Sequence, residues 1–344
     1  MRSRSDAPLF PAAHAKDAIR SGRRPILALA ALASGIGGSA SAQIAAVGTL
    51  TLVVPYGAGS TNDIIARLLA PELGARLGQT VVVDNRAGAG GTLGIGQVIR
   101  ARPDGTTIAL VSASSIPINR ALFRNLPYDA ARDLVLIGIG GSTPNALIVA
   151  GDSGITSLAD LIARANRPGQ PPIRHFSPGN GTSQHLSAAQ LARVAGFAVE
   201  NITYRGPADA IIGLLAGEVA FGFASVPSVV GLIRDGRLRA LGTTGPRPSA
   251  LPAVPLLVSF GYPSFGNTDI WYGIGAQRTV PAATLAALRT ALAQALEQPA
   301  LQARLTQAGF DLVPWMSAAE ADAFLAAQVT FWTDLVRQSG ATMD

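Results

Sequence analysis

VVPYGAGSTND (residues 53–63) and IRHFSPGNGTSQHL (residues 173–186) are the two segments that determine which fold this chain can adopt. Each reads as a short apolar or β-branched strand, a glycine-rich loop, a pair of hydroxyl side chains and an amphipathic helix. A helix N-terminus has backbone N–H groups without intrahelical acceptors and a partial positive charge, so it suits an anion. Because the arrangement occurs twice, we expect two similar lobes that each supply half of one anion cleft.

Strand–loop–helix units repeat outward from these segments, which is typical of an α/β fold with mainly parallel sheets covered by helices. One lobe is interrupted by the other, and two or more crossings near residues 145–149 and 267–273 would form a hinge. We predict lobe 1 at residues 43–145 plus 268–344 and lobe 2 at 146–267. The predicted strands are 50–55, 80–84, 107–112, 134–138, 146–150, one from 173, 201–204, 219–226 and 238–243, and the main helices are 61–77, 158–165, 187–195, 209–216, 282–298, 299–308 and 318–339.

The N-terminal residues have the composition of an export signal. Residues 1–24 are polar and basic, residues 25–36 are apolar, and residues 40–42 (ASA) form an A-x-A cleavage site. The apolar run is too short for a stable membrane anchor. We therefore predict that residues 1–42 are a cleaved signal peptide and that the protein is periplasmic. A retained anchor is the alternative, and both Sec and twin-arginine export stay open.

Composition excludes several function classes for the remaining 302 residues, a length sufficient for two lobes. The leader holds six basic and two acidic residues, so the formal net charge falls from +6 to +2 and does not indicate nucleic-acid binding. The only lysine, Lys16, lies in the leader, so a lysine Schiff base and a P-loop lysine are excluded. Cysteine is absent, which excludes disulfides and thiolate chemistry. His175 and His185 have no neighbouring carboxylate pair, so we expect no metal and no cofactor.

A membrane span is a weak alternative for residues 210–233, the longest weakly charged stretch. A Gly-Glu pair and Pro227 interrupt it. We predict instead a helix over 209–216, a buried strand over 219–226 and a helix entered through Pro227.

The first loop offers one helix N-terminus to the cleft. Ser60 is spaced to cap the helix, and Asp63 completes a capping box. Gly57 and Gly59 let the backbone turn and approach a ligand closely, with the N–H groups of residues 59–62 facing the cleft. An ordinary capped strand–helix turn is the alternative.

The second loop is more polar than a turn requires and contains no carboxylate, which suits an anionic ligand. Ser183 and His185 do not share a helix face, and no acid lies beside them to complete a catalytic triad. His185 is more typical of a packing or capping residue. The polar members of this loop are Ser177, Asn180, Thr182, Ser183 and His185, around Gly179 and Gly181.

The third loop, GAGGTLG (residues 88–94), misses the dinucleotide fingerprint by one residue, because Leu93 stands where the last glycine belongs. We interpret Asn85, Gly90, Gly91 and Thr92 as further donors at the cleft mouth.

Two more groups are candidates for the cleft. Arg205 could clamp a carboxylate or be a solvated surface arginine. Trp271 and Tyr272 could wall the cleft or pack in the core.

In these residues the chain resembles the periplasmic solute receptors of tripartite tricarboxylate transporters, the TctC or Bug family. The resemblance covers the chain after the leader and implies a two-lobed, type II-like Venus-flytrap periplasmic binding protein without catalysis. It also implies carboxylate ligands held by the first and second loops. The motifs that carry it are V-P-Y-x-x-G-x-x-N-D-I-I-A-R-L-L (54–69), L-G-Q-T-V-V-V-D-N-R-A-G-A-G-G-T-L-G (77–94), P-D-G-T-T-I (103–108), S-P-G-N-G-T-S-Q-H-L (177–186), Y-R-G (204–206), L-L-A-G-E-V (214–219), L-R-A-L-G-T-T (238–244) and W-Y-G-I (271–274).

Loop chemistry and resemblance together predict the ligand contacts. They are Tyr56, Gly57, Gly59, Ser60, Thr61, Asp63, Gly91, Thr92, Ser177, Asn180, Gly181, Thr182, Ser183, His185, Tyr204, Arg205 and Gly206.

The chain departs from the family pattern in two places. The family's first loop is usually P-x-P-G-G, whereas Ala58, Gly59 and Ser60 stand here. Acids are common in relatives where Ala220 and Ala224 lie, so any ligand contact that those acids make is missing from this chain.

We expect a monomeric receptor that binds a small carboxylate (a di- or tricarboxylate, an amino acid or an aromatic acid) between its lobes. It would pass this ligand to the membrane subunits of a tripartite tricarboxylate transporter, with no nucleic-acid partner. One alternative is a ligand-sensing receptor for a sensor kinase. Another is a hydrolase that uses Ser183 and His185 in the same cleft.

The leader gives a first testable prediction. Intact-mass analysis of a periplasmic extract should find a mature chain that begins at Gln43, because signal peptidase cuts after a small-x-small sequence. A full-length product in the membrane fraction would contradict this prediction.

Overall fold

A computed structural model describes residues 48–123, 125–245, 250–266 and 268–339; the predicted leader lies outside them. The strands in these residues are β1 (Thr49–Val54), β2 (Thr80–Asn85), β3 (Thr107–Ser112), β4 (Leu134–Thr143), β5 (Asn145–Ala150), β6 (Ile173–Ser177), β7 (Val199–Thr203), β8 (Phe221–Ser225), β9 (Leu238–Thr243) and β10 (Ile270–Gln277). The α-helices are α1 (Thr61–Leu77), α2 (Thr92–Arg100), α3 (Asn119–Leu122), α4 (Ala130–Asp133), α5 (Leu158–Ala165), α6 (Ser183–Ala195), α7 (Pro207–Leu215), α8 (Val226–Arg234), α9 (Ala282–Leu296), α10 (Pro299–Gln307) and α11 (Ala318–Ser339).

The described strands form two five-stranded sheets, one at the centre of each lobe. Lobe 1 has the strand order β2-β1-β3-β10-β4, and lobe 2 has β7-β6-β8-β5-β9. In each sheet the first two pairings are parallel and the last two are antiparallel. The predicted two-lobed α/β class is confirmed. The sheets are mixed rather than mainly parallel, because β5 and β10, the strands that follow the crossings, run against their neighbours.

Most predicted elements are present in the structure. The main element that the sequence analysis did not predict is β10. Its sequence, IWYGIGAQ, contains two glycines that weaken a strand pattern. In the fold these glycines are where neighbours come closest: a Cβ at Gly273 would meet the carbonyl of Gly138, and one at Gly275 would meet Val111. The pairing with β4 is irregular at the same two positions. Glycine is required in this strand because neighbouring strands pack so closely against it. The sequence alone does not show this close packing.

The start of α6 was also predicted wrongly, at residue 187. The helix begins at Ser183, because Thr182 acts as its N-cap and accepts the N–H of His185. The short helices α3 and α4 were not predicted. The stretch predicted as a helix, a strand and a helix across 209–234 is confirmed as α7, β8 and α8. None of the helices among the described residues is long and apolar enough to cross a membrane.

Each lobe has its own core, and one element of lobe 2 reaches into the core of lobe 1. The lobe 2 sheet is covered by two apolar clusters, while lobe 1 has one large cluster. Leu186 on α6 is fully buried in that lobe 1 cluster. Gly181, in the second loop, packs against Leu122 of α3 so closely that a Cβ there would clash. The lobes are therefore in direct contact beside the loop that leads into α6.

A buried amide fastens the C-terminal helix to the sheet of lobe 1. Gln328 on α11 has no exposed surface, and its Oε1 accepts the indole N–H of Trp271 on β10 and that of Trp332, each at 2.9 Å. Both indoles are at most 1% exposed. Their N–H groups depend on Gln328, since water does not reach them.

Replacing this amide tests the attachment. Gln328→Leu would leave two buried donors unsatisfied, at about 1–3 kcal/mol each, so we expect urea unfolding to give a loss of about 2–6 kcal/mol in total. Gln338→Leu, at an exposed position of the same helix, should change stability by about 0.5 kcal/mol or less. An equally small effect of Gln328→Leu would show that α11 does not depend on this amide.

Candidate functional site

A cavity of about 560 Å³ lies between the lobes. Its lobe 1 wall is made by the first loop, the third loop and Tyr272 of β10. Its lobe 2 wall is made by the second loop and the starts of α6, α7 and α8. The two glycine-rich segments that the sequence singled out therefore face one another across a single space.

Five helix N-caps line this cavity. They are Ser60 of α1, Gly91 of α2, Thr182 of α6, Gly206 of α7 and Ser225 of α8. Each helix start carries about half a positive elementary charge and N–H groups without an intrahelical acceptor. Together they make the cavity attractive to an anion although few charged side chains reach it.

A capping network fixes the first loop. Ser60 Oγ accepts the N–H of Asp63 at 3.3 Å, and Asp63 Oδ2 accepts the N–H of Gly59 at 2.9 Å. Burial opposes ionisation of Asp63, but hydrogen bonds from Arg67, the Gly59 N–H and Asn85 outweigh it and lower its pKa. Half of the predicted capping box is present: Ser60 caps the helix, but Asp63 accepts the N–H of Gly59, and the N–H of Ser60 donates to the carbonyl of Gly57 instead. The N–H of Gly59 is already used, which corrects its expected role as a cleft donor and leaves the N–H groups of Thr61 and Asn62.

Tyr56 joins the first loop to the third. Its hydroxyl donates to the carbonyl of Gly90 at 3.1 Å, which also accepts Nδ2 of Asn119 at 2.8 Å. Gly90 and Gly91 have φ values of +65° and +95°, a left-handed conformation that favours glycine. These glycines let the third loop close against Tyr56.

The second loop is held by its own side chains. Thr182 Oγ1 donates to the carbonyl of Gly179 at 2.8 Å, and Nδ1 of His185 accepts the N–H of Gly181 at 3.0 Å. Ser183 Oγ donates to Oε1 of Gln184 at 3.2 Å. Both hydroxyls that we expected to face the ligand as donors are therefore engaged within the protein. Backbone N–H groups at the start of α6 are what this loop offers an anion.

Two neutral histidines, neither of which lines the cavity, pack against this loop. His175 on β6 stacks on His185 with ring centroids 6.0 Å apart. Burial lowers the pKa of His175 to about 4 and also lowers the pKa of His185. Since Nδ1 of His185 must be unprotonated to accept the Gly181 N–H, the neutral form fits its role. This geometry supports the packing and capping interpretation of His185.

Apolar side chains form much of the lobe 2 wall. Phe176, Ile211, Phe223 and Ala224 line the cavity and are each at most 8% exposed. The charged side chains among the lining residues are Arg205 and Asp209, both exposed at the start of α7. The cavity therefore suits a ligand that combines anionic groups with an apolar body.

Tyr272 closes the cavity from the crossing between the lobes. Burial raises its pKa, while hydrogen bonds with Ser225 of lobe 2 and Thr61 of lobe 1 act against this rise. Its hydroxyl thus lies beside one helix start of each lobe and stays protonated. Trp271, the other residue that we considered for the cleft wall, is fully buried in the lobe 1 core instead.

The predicted contacts divide into two groups. Most line the cavity: Tyr56, Gly57, Gly59, Ser60, Thr61, Gly91, Asn180, Thr182, Ser183, Arg205 and Gly206. The other predicted contacts lie outside the cavity lining: Asp63, Thr92, Ser177, Gly181, His185 and Tyr204. Asp63, Gly181 and His185 orient the loops, whereas the Tyr204 hydroxyl donates to Glu218 at 2.8 Å, away from the cavity.

Several lining residues escaped sequence reasoning. Gln184 and Ser225 are polar, but nothing in their spacing sets them apart from ordinary helix starts. Three others, Phe176, Ile211 and Phe223, read as core positions of strands and helices. Asp209 places a carboxylate at the rim of the cavity, although the second loop itself contains none. Among the described residues, no group of three or more His, Cys, Asp or Glu side chains could hold a metal ion.

Comparisons with known proteins agree on one family. The family model described as "Tripartite tricarboxylate transporter family receptor" matches residues 65–341. Protein BugT of Bordetella pertussis is 31% identical over 314 residues, which cover 90% of this chain and 95% of BugT.

Solved structures agree with the sequence relatives. The periplasmic binding protein BugD is similar with a TM-score of 0.77 and 30% identity, over 86% of this chain and 99% of BugD. Rpa4515 of R. palustris, solved with adipate, has a TM-score of 0.78 and 28% identity, over 86% of this chain and 98% of Rpa4515.

The buried histidines give a pH prediction. Below the unfolded-state pKa of 6.5, the unfolded chain binds protons that folded His175 does not, so stability falls as pH drops from about 6.5 towards about 4. The slope should reach about 1.4 kcal/mol per pH unit. His175→Phe keeps an aromatic ring against Phe221 but removes the titration, so urea unfolding should show a clearly smaller loss between pH 6.5 and 4.5. Equal losses in the parent and the variant would refute the prediction.

Proposed function

Because the chain belongs to the tripartite tricarboxylate transporter receptor family, a family of solute receptors and not of enzymes, we propose that it is a periplasmic receptor for a small carboxylate. It would capture this ligand between its lobes and deliver it to the membrane subunits of a tripartite transporter. We further propose that it works as a monomer. Its lobe boundaries would be residues 43–145 plus 268–344 for lobe 1 and 146–267 for lobe 2. The division of the strands between the two sheets supports these bounds, except that Asn145 begins β5 of the lobe 2 sheet.

The convergence of five helix N-caps on one cavity is the observation that carries this proposal. α1 and α2 supply two of them from lobe 1, and α6, α7 and α8 supply three from lobe 2. A carboxylate is small enough to accept several N–H groups at once, and the tricarboxylate transporter family favours it over other small anions. A catalytic role has no comparable support, because His185 is occupied by Gly181 and Ser183 donates to Gln184.

The apolar lobe 2 wall narrows the ligand class. Ala224 lies in this wall, at a position where an acid is common in relatives, so the wall adds no charge of its own. Ala220 does not line this cavity. We propose a ligand with one or two carboxylates on an apolar body. Adipate, the ligand named for the similar R. palustris protein, has this chemistry and is a suitable first probe.

Closure of the lobes would follow from the same geometry. Two of the five N-caps lie on lobe 1 and three on lobe 2, so a bridging ligand makes more contacts in the closed form than in an open one. Such differential affinity is what shifts a two-state equilibrium. The closed, liganded form would then be the form that the transporter recognises.

The charge of the ligand provides the test. Each helix start favours an anion by about 0.3–1 kcal/mol, or about 2 kcal/mol when partly buried. Calorimetry should therefore show that adipate binds at least about tenfold more tightly than its neutral diamide. A thermal-shift screen of mono- and dicarboxylates accompanies this test, since ligands of the folded state raise the melting temperature.

A pair of variants controls the test. Ala224→Asp puts a carboxylate into the cavity wall and should weaken adipate binding about tenfold or more, because like charges would meet in a site of low dielectric. Ala220→Asp makes the same change on the preceding segment, outside the cavity, and should leave affinity within about twofold. Equal affinity for acid and diamide, or no carboxylate that raises the melting temperature, would refute the proposed function.

A further inference from the structure

Asn145 lies where the connection from lobe 1 enters lobe 2. It is the first residue of β5 and follows the passage from β4 through Pro144. Its N–H donates to Thr244 Oγ1 at 2.9 Å, and its carbonyl accepts the N–H of Thr244 at 2.9 Å. Thr244 directly follows β9 and still belongs to lobe 2, because Leu251, Leu257 and Phe265 beyond it pack in the lobe 2 clusters. The backbone of Asn145 therefore ties the connection from lobe 1 to the end of β9.

The side chain of Asn145 belongs to a closed ring of four hydrogen-bonded side chains. Nδ2 of Asn145 donates to Ser183 Oγ at 3.3 Å, and Ser183 Oγ donates to Oε1 of Gln184 at 3.2 Å. Nε2 of Gln184 donates to Ser225 Oγ at 3.0 Å, and Ser225 Oγ donates to Oδ1 of Asn145 at 3.4 Å. Each hydroxyl in the ring accepts one bond and donates one, and each amide does both through its two ends.

Such a ring acts as a unit. Asn145 has no exposed surface, and Ser183 and Ser225 are at most 2% exposed. Gln184, the fourth member, is half-buried. Among the three buried members, linked hydrogen bonds polarise one another, and a missing member leaves buried groups without partners. The loss of any one residue should therefore disturb the orientation of the other three.

The ring connects the hinge to two of the helix starts at the cavity. Ser183 is the first residue of α6, and Ser225 is the N-cap of α8. The hydroxyl of Ser225 does not cap its own helix but faces the ring. Ser183, Gln184 and Ser225 line the cavity, whereas Asn145 lies behind them. Asn145 thus sets the mutual position of two helix starts without being part of the cavity wall.

We propose that Asn145 is a positioning residue that couples the hinge to the ligand site. Through the ring it holds the first turns of α6 and α8 so that their free N–H groups converge on one anion. This proposal rests on the proposed function for the identity of the anion, but the ring itself is testable without any ligand.

The ligand-free test is amide hydrogen exchange of Asn145→Ala. With the ring broken, exchange of the hydrogen-bonded amides in the first turns of α6 and α8, those of His185, Leu186 and Val226, should become at least tenfold faster, while central strand β8 keeps its protection. Ser187→Ala removes another buried hydroxyl of α6, outside both ring and cavity, and should leave exchange in both turns within twofold. Unchanged exchange at both helix starts in Asn145→Ala would overturn the proposal, as would an increase spread evenly over lobe 2.

The binding test uses adipate as the probe. Asn145→Ala should weaken adipate at least tenfold although the residue does not line the cavity, and Ser187→Ala should not. Combining Asn145→Ala with Ser225→Ala should weaken binding no further than the worse single variant, because the ring is already broken. Losses that multiply in the double variant would overturn the proposal.

The two proposals fail separately. If the parent binds no adipate but Asn145→Ala still loosens the two helix starts, the ring holds and the proposed ligand is wrong. If the parent binds adipate and Asn145→Ala binds it equally well, the proposed function holds and the coupling role of Asn145 is refuted.

Discussion

Backbone N–H groups that a helix cannot satisfy for itself determine this site. Every helix start has such groups, and in most helices they donate hydrogen bonds to capping side chains or to water. Here the caps of α1, α2, α6, α7 and α8 all line one cavity. The topology explains this convergence: the helices follow strands or connections whose ends meet at the facing edges of the two sheets. An anion at that meeting point would accept hydrogen bonds from the N–H groups that have no acceptor within their helices.

The side chains around the cavity mostly serve the protein and not the ligand. Asp63 fixes the first loop, Thr182 and His185 fix the second, and Tyr56 with Asn119 fixes the third. A site organised in this way is preorganised, since its donors are already oriented before a ligand arrives. Its chemistry then depends little on which hydroxyl occurs in a loop and strongly on whether the loop keeps its shape.

Contacts between the lobes give the site its second property. Gly181 against Leu122, and Leu186 within the core of lobe 1, place the start of α6 at the boundary between the lobes. Asn145, at the connection from β4, is hydrogen-bonded to Thr244 at the end of β9 and to Ser183 at the start of the same helix. In the proposed closure of the lobes, these are the elements that would transmit the movement to the N–H groups of the cavity.

The sequence by itself determined the two-lobed α/β class, the position of most helices and strands, and the two loops that face each other across the cavity. These follow from local rules: Ser60 caps the N–H of Asp63, and glycines permit the loop turns. The sequence did not reveal β10, the apolar wall of Phe176, Ile211 and Phe223, or the ring around Asn145. Those features join residues far apart in the chain, and each residue taken alone reads as an ordinary strand, core or cap position. Only tertiary packing decides that Gly273 must admit a neighbouring carbonyl, that Ser183 donates to Gln184 and not to a ligand, and that five separate helix starts point into one space.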